Sequence, residues 1–578
     1  MSGLGGVLYL DAGPATAGDV SPLLAAQAHR GPDGTALAVA GSVALGVARL
    51  RTMPDHLDIV ETADGLVAAM DGCVDDRRAL AETLNVGGAP SGLELILEGY
   101  RRWGIGVVDR LVGECAVVLW DARLRRLVLF RDVIGMRPLC YRVAGSRLLI
   151  ASEPQALART LPTSVNEGYL AEHLADDVAS RDETLFRDVY RVPPGDVVLH
   201  ERGRLRRSRY WHPAAKTIRY RRPDDYLEHF RELFGHAVED RLPATGAALT
   251  LSGGIDSSIV AAEVAAMRAD GHAGAAATAA LTLSHPGRPE DETGRAAETA
   301  ARLEMPWRSA AALVPGEEYF AEAARRAADL PEPPTAASAR PLRDAVRASG
   351  HRVVLTGYGG DEWFSAHQEP RHLRAWHRAP AWSRRAIRRL LGRSKVPAWI
   401  DRGFAARVDL ARRLGHWEPE VRLPTGAATR LFHGAMHGEL LWRRELAERL
   451  AAWAGFEERS PLFDRRVVEF ACALPNDVRA RDGVNKWILR RAYRAVLPPW
   501  AANPPAAAGF NWIVADCLQR FGGIDRVERS AAARNGWLDS AALRQLHHDL
   551  EAGNPGSVLP LWNALAVSYF LDSVSLPR

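Results

Sequence analysis

The hydrophobic pattern of this chain changes period once, near residue 212, and that change bounds what the chain can fold into. Up to about residue 210 the apolar residues come in short alternating runs: GGVLYL, SVALGVARL, GLVAAMDG, CAVVLWD, RLVLFRD and RLLIAS. Turn residues separate them at close spacing, which predicts a mostly antiparallel β domain with a few helices. The segment HPAAKTIRYRRPDDY (212–226) is polar, contains proline and has no period. Beyond it, long helical stretches such as DDYLEHFRELFGHAVEDRL alternate with short β-rich runs, AALTLS (247–252), AALTLS again (279–284) and HRVVLTG (351–357). That alternation predicts a parallel sheet with crossover helices. The expected organisation is an α+β domain over 1–211, a linker over 212–226 and an α/β domain over 227–578.

Composition narrows the class. A chain of 578 residues suits two to four domains at roughly 150 residues each. Lys and Arg number 74 against 70 Asp and Glu, a net charge of +4, and the 47% hydrophobic and 25% charged content is the ordinary globular mix. Disordered, collagen-like and coiled-coil readings are excluded. Five cysteines (Cys73, Cys115, Cys140, Cys472, Cys517) show no CxxC pairing, which argues against a disulfide framework or zinc site and for a reducing compartment. There is no long apolar run for a membrane span and no basic region before the first apolar run, so a cytoplasmic protein is expected. Only Lys216, Lys395 and Lys486 among the basic residues are lysines. The Ala, Arg and Gly content reads as a coding bias, so arginine abundance predicts no nucleic-acid partner, and no membrane partner is expected. The segment 371–395 carries nine Lys or Arg and no acid. It reads either as a solvated amphipathic helix or as a groove for an anionic or peptide substrate.

Three segments carry chemistry. Ser252-Gly253-Gly254-Ile255-Asp256-Ser257-Ser258 follows a strand and opens a helix. Glycines at such a turn let backbone N–H groups approach an anion, and the helix N-terminus adds a favourable dipole. No GxxxxGK[ST] lysine is present, so this is not a Walker A loop. Leu355-Thr356-Gly357-Tyr358-Gly359-Gly360-Asp361-Glu362-Trp363-Phe364 ends a β run in a glycine-rich turn bearing carboxylates. Gly483-Val484-Asn485-Lys486-Trp487-Ile488-Leu489 places a lysine at a helix start.

The first segment resembles the pyrophosphate-binding loop of the ATP-pyrophosphatase ligases, which cleave ATP between the α and β phosphates and form an acyl-adenylate. The second resembles the SGEGxDExF turn of asparagine synthetases, the third their GxxKxxLRxA segment, and Glu457-Glu458-Arg459-Ser460-Pro461-Leu462-Phe463-Asp464 their EARVPFLD segment. In the first domain, His29-Arg30-Gly31-Pro32-Asp33-Gly34 and Arg131-Asp132-Val133-Ile134-Gly135-Met136-Arg137-Pro138-Leu139 resemble type-2 glutamine amidotransferases. The match spans nearly the whole chain. It implies an N-terminal nucleophile (Ntn) hydrolase-like αββα sandwich followed by an adenine-nucleotide α-hydrolase-like synthetase domain. It further implies ATP held by Leu251, Ser252, Gly253, Gly254, Asp256, Ser257, Ser258, Leu283, Gly357 and Tyr358. Mg²⁺ is expected on Asp256 and Asp361, since hard cations prefer carboxylate and phosphate oxygens. Lys486 is expected to stabilise charge at the α-phosphate and on a tetrahedral intermediate. Glu457, Glu458, Arg459 and Asp464 are expected to wall the acceptor pocket.

Two departures bear on function. Active glutaminases of this type begin Met-Cys-Gly, whereas this chain has Ser2, a much weaker nucleophile. Asp71 stands where they carry the oxyanion asparagine, and its charge would oppose an oxyanion. Glutamine hydrolysis is therefore expected to be absent. Tyr358 stands where asparagine synthetases carry Glu; β-lactam synthetases are similar in using a Tyr with a Glu to deprotonate an internal amine. Tyr358 is thus a candidate base or proton relay; the sequence does not place its carboxylate partner, for which Glu439 is one candidate. These features resemble most the lasso peptide macrolactam cyclases, which implies a precursor peptide substrate, with a leader peptidase and a leader-binding protein as further partners. A β-lactam synthetase-like cyclase, an ammonia-dependent asparagine synthetase and a non-catalytic scaffold are the alternatives.

Overall fold

A computed structural model describes residues 2–53, 57–161, 163–214, 216–365, 396–414, 423, 426–502 and 509–574. The basic segment 371–395 lies outside the described residues. The first half is an αββα sandwich. Its first sheet has the order β10 (Tyr190–Arg191), β8 (Cys140–Ala144), β9 (Arg147–Ala151), β1 (Gly3–Tyr9), β3 (Val43–Ala48), β2 (Thr35–Ala40). The second has the order β12 (Arg204–Arg209), β11 (Asp196–Glu201), β7 (Arg126–Arg131), β6 (Gly113–Asp121), β5 (Leu66–Val74), β4 (Ile59–Glu61). Every pairing in both sheets is antiparallel. The central strands β3 and β5 are buried along their whole length, because they have sheet on one face and either sheet or helix on the other. Leu4, Leu45, Val67, Val118, Leu127 and Leu129 fill the space between the sheets. The exposed edge strand β12 is RLRRSR, and its charges discourage edge-to-edge pairing.

The second half is built on a five-stranded sheet, β15 (Trp307–Ala311), β14 (Ala279–Ser284), β13 (Ala248–Thr250), β16 (Val353–Leu355), β17 (Glu457–Arg459), with every pair parallel. The two AALTLS runs form the neighbours β13 and β14. The helix Pro223–Arg241 starts inside the segment expected to be a linker, because Pro223 fixes the first-turn φ and Asp224 and Asp225 suit a helix N-terminus. The unstructured connection is therefore shorter than 212–226. It is also held down, with the Trp211 indole donating to Glu469 at 2.7 Å and the Ile218 N–H to the Ala473 carbonyl at 3.0 Å. No helix among the described residues is long and apolar enough to cross a membrane.

The halves share both apolar and charged cores. Helix Val558–Ser573 (VLPLWNALAVSYFLDS) is apolar around most of its circumference and is buried accordingly, in one cluster with Leu23, Tyr169 and Leu170 of the sandwich. A buried network of ion pairs also joins the halves. Arg241 meets Asp75 at 3.0 Å, Glu114 at 2.9 Å and Asp464 at 2.8 Å. Arg137 meets Glu114 at 3.3 Å, Glu457 at 3.1 Å and Glu448 at 3.5 Å, and Arg30 meets Glu448 at 2.9 Å and Glu153 at 2.6 Å. Glu445 takes Arg131 at 2.9 Å and Arg191 at 2.7 Å. Carboxylates of each half are neutralised by arginines of the other. Buried charges are tolerated only in such company, and removing one partner leaves the rest uncompensated. Arg241→Met is expected to destabilise the protein by about 3–5 kcal/mol, read as a lower urea midpoint. An unchanged midpoint would contradict this role for the network.

Candidate functional site

In an open parallel sheet, ligands bind where the strand order reverses, outside the carboxyl ends of the strands. Here the reversal falls between β13 and β16. Ser252–Ser258 follows β13, and Gly357–Asp361 follows β16. Parallel pairing of Leu249 with Leu355 sets these two turns side by side.

After β13 the chain turns at Gly253 (φ +82°) and enters the 15-residue helix Ile255–Ala269 through Gly254. The first backbone bond of that helix is Ser258 N–H to the Gly254 carbonyl at 3.3 Å, so the N–H groups of Ile255, Asp256 and Ser257 lie ahead of it. Three hydroxyls brace the turn. Ser257 Oγ accepts the Ser252 N–H at 3.0 Å, Ser252 Oγ accepts the Gly254 N–H at 3.3 Å, and Ser258 Oγ donates to the Gly254 carbonyl at 2.7 Å. Amides, hydroxyls and a helix N-terminus together favour an anion such as a phosphate. Leu251 is fully buried behind the turn, and Leu283 sits half-buried on β14.

The turn after β16 packs directly onto this loop and needs glycine to do so. A Cβ on Gly357 would lie 2.5 Å from the Ser257 nitrogen, and one on Gly360 would lie 2.1 Å from Asp256 Cγ. Thr356 is tied to Ser460, past the end of β17, by a 2.7 Å hydroxyl–hydroxyl bond. Tyr358 is 58% exposed, and Glu458 and Glu362 are the carboxylates whose charges reach its phenol.

Lys486 joins the two turns. Its Nζ lies 2.5 Å from Asp256 Oδ2 and 2.7 Å from Asp361 Oδ1. Burial opposes the ammonium, but the charges of Asp256 and Asp361 outweigh it and hold Lys486 above the ordinary lysine range. Burial pushes the Asp256 carboxyl up to about 6, with Lys486 pulling against it. Asp256 Oδ1 is buried without a hydrogen-bond partner, while the Asp361 side chain is open to solvent. No group of three or more His, Cys, Asp or Glu side chains able to hold a metal occurs among the described residues. A pair of carboxylates beside a turn that favours an anion nevertheless fits Mg²⁺, which is usually held by one or two carboxylates plus substrate phosphates.

The structure thus gathers Ser252–Ser258, Gly357–Asp361 and Lys486, and separates them from other expected site residues. Glu439 is ion-paired to Arg443 at 2.6 Å along the helix Gly438–Ala454, and its charge reaches Asp176. An i,i+4 partner on its own helix takes this side chain, in place of Tyr358. Glu457, Arg459 and Asp464 lie inside the buried ion-pair network, not on a pocket wall. Arg459 meets Glu457 at 2.7 Å, and Asp464 also caps the helix Arg465–Ala473. Of that segment only Glu458 turns toward the Tyr358 side, with burial pushing its carboxyl up to about 7. Arg295, which lies outside every motif, also reaches the first turn. Its Nε donates to the Gly253 carbonyl at 3.2 Å. No motif spacing marked it, since it reaches the loop from a separate helix.

Comparison with known proteins follows this division. Residues 229–572 match the asparagine synthase family, and residues 1–211 match the glutamine amidotransferase domain. A putative glutamine-hydrolysing asparagine synthetase of Mycobacterium bovis is 26% identical across 93% of this chain and 91% of its own. Amidase chry2 of Gibberella zeae is 30% identical across 59% of this chain and 54% of its own, and amidase chyE of Penicillium rubens 29% across 59% and 53%. The chain spans about half the length of these two fungal relatives.

A proton on Asp256 removes its attraction for both Lys486 and a cation. In a nucleotide-turnover assay, kcat/KM for ATP is therefore expected to fall with decreasing pH below about 6. A profile flat down to pH 5 would remove Asp256 from the working site.

Proposed function

Since the chain belongs to the asparagine synthase family, whose members include ATP-dependent ligases, we propose that it is an AMP-forming peptide cyclase. It adenylates an Asp or Glu side-chain carboxyl of a precursor peptide and closes a macrolactam with that peptide's N-terminal amine. The observation that carries this reading is at Ser2. Its buried hydroxyl accepts the Leu50 N–H at 3.2 Å and donates to Asp58 at 3.4 Å, and its N–H is taken by Asp71 at 2.6 Å. A hydroxyl in place of a thiol, beside a carboxylate, is poorly suited to attack glutamine. The nitrogen must then come from elsewhere, and an amine on the acceptor itself supplies it.

In this reading the triphosphate rests on the Ser252–Ser258 turn, with Leu251, Leu283 and Gly357 about the adenosine. Asp256 and Asp361 would hold Mg²⁺, which shields phosphate charge when bound. A substrate carboxylate oxygen attacks the α-phosphorus, and the bond to the β-phosphate oxygen breaks. The amine nitrogen then attacks the acyl carbon and AMP leaves with the acyl–oxygen electron pair. Lys486 stabilises charge on the phosphate and on the tetrahedral intermediate. Burial and the charges of Glu458 and Glu362 keep the Tyr358 phenol protonated, so it acts as a relay: its oxygen accepts the amine proton as its own proton passes to one of those carboxylates. A leader peptidase and a leader-binding protein would deliver the processed peptide.

Purified protein incubated with ATP and a leader-free core peptide is expected to give AMP and a product lighter by one water. AMP formation only with aspartate plus ammonia would replace this reading with an ammonia-dependent asparagine synthetase. Lys486→Ala is expected to lower turnover by about 10²–10³-fold with the far-ultraviolet circular dichroism unchanged. Undiminished turnover would remove Lys486 from the chemistry.

A further inference from the structure

We infer that Arg295 is a pyrophosphate-binding residue, taking the β- and γ-phosphates of ATP and the leaving pyrophosphate. This rests on the reading that ATP is cleaved between its α and β phosphates. Arg295 lies in the first turn of the helix Thr293–Arg302 and reaches back to the Gly253–Gly254 turn, where Nε donates to the Gly253 carbonyl at 3.2 Å. Its Nη2 is held by Glu292, and Nη1 has no hydrogen-bond partner among the described residues. The guanidinium is therefore anchored at two corners and open at the third. The turn packs directly on the start of this helix: Gly253 has φ +82° and a Cβ there would lie 2.6 Å from the Glu292 carbonyl.

The charge around the loop calls for such a group. A triphosphate adds several negative charges to a site that already holds the carboxylates of Asp256 and Asp361. The ammonium of Lys486 is engaged by both of these. Arg490 donates to the carbonyls of Asn485 and Ala501. Among the described residues, Arg295 is the guanidinium bonded to the Gly253–Gly254 turn itself. The Trp500 ring lies 5.9 Å from its guanidinium carbon, and the Trp500 indole N–H is buried without an acceptor among the described residues. A planar guanidinium can grip two phosphate oxygens at once, which a point charge cannot. When the carboxylate oxygen attacks the α-phosphorus, the electron pair of the broken bond passes to the pyrophosphate. Arg295 meets that added charge.

The test uses the full-length chain and inorganic pyrophosphate as product inhibitor of AMP formation. Arg295→Gln keeps a donor for the loop and loses the charge. It is expected to raise both the pyrophosphate inhibition constant and the KM for ATP by roughly ten- to hundredfold, and Arg295→Lys is expected to recover part of this loss. Glu292→Gln, which removes the anchor together with a carboxylate charge that opposes the phosphates, should leave the inhibition constant unchanged or lower it, and not raise it. If Arg295 is merely a brace, Arg295→Gln and Glu292→Gln lower kcat and thermal stability together while the inhibition constant stays unchanged, and the assignment falls. Should Arg295→Gln not fold, an inhibition constant unchanged in Arg295→Lys has the same consequence. ADP and phosphate from the unaltered protein would overturn the reading of the reaction instead. AMP formation with an unmoved inhibition constant overturns Arg295 alone.

Discussion

Arg241 is buried among Asp75 and Glu114 of the sandwich and Asp464 of the second half, and the site depends on that arrangement. The same network continues through Arg137 to Glu457 on β17, and β17 pairs with β16 in parallel register. The Thr356–Ser460 bond then fixes the residue before the Gly357–Asp361 turn. A chain of contacts thus runs from a charge cluster between the halves to the turn that bears Tyr358 and Asp361. The sandwich thus has a structural part in holding the second half, whatever chemistry Ser2 performs. Without Asp75 and Glu114, Arg241 would be left in the interior with a single counter-ion.

The second constraint is electrostatic. Asp256, Asp361 and Lys486 come from three distant segments, and each corrects the environment of the others. Burial alone would favour a neutral Asp256 and a neutral Lys486, and their mutual proximity favours the charged pair. Lys486 takes a left-handed backbone (φ +55°) at the start of the helix Trp487–Ala492, which a side chain adopts at a cost. The strain at this lysine is consistent with placement mattering more than local comfort.

The glycine turns, the two AALTLS strands and the retained lysine were legible in the sequence because their signals are local. A strand, a Gly-Gly turn and a helix occupy consecutive residues, and the parallel sheet follows from the alternation of periods. What was not legible depends on long-range pairing. Glu457, Arg459 and Asp464 look like pocket residues in a short segment, yet their partners Arg137, Thr52 and Arg241 lie more than 200 residues away. Glu439 reads as a free carboxylate until its own helix brings Arg443 beside it. The polar stretch 212–226 overstates the linker because its final residues supply the first turn of the following helix. Arg295 reaches the Gly253–Gly254 turn from the helix that follows β14, and no periodicity reports such an approach.

The central claim is that this site activates a carboxylate by joining it to the α-phosphate of ATP. The most direct measurement labels both oxygens of the substrate's acceptor carboxylate with ¹⁸O and follows the label by mass spectrometry. The account predicts that one labelled oxygen appears in the phosphate of each AMP released as the amide forms. Amide formation with unlabelled AMP, or with ADP and labelled inorganic phosphate, would contradict it.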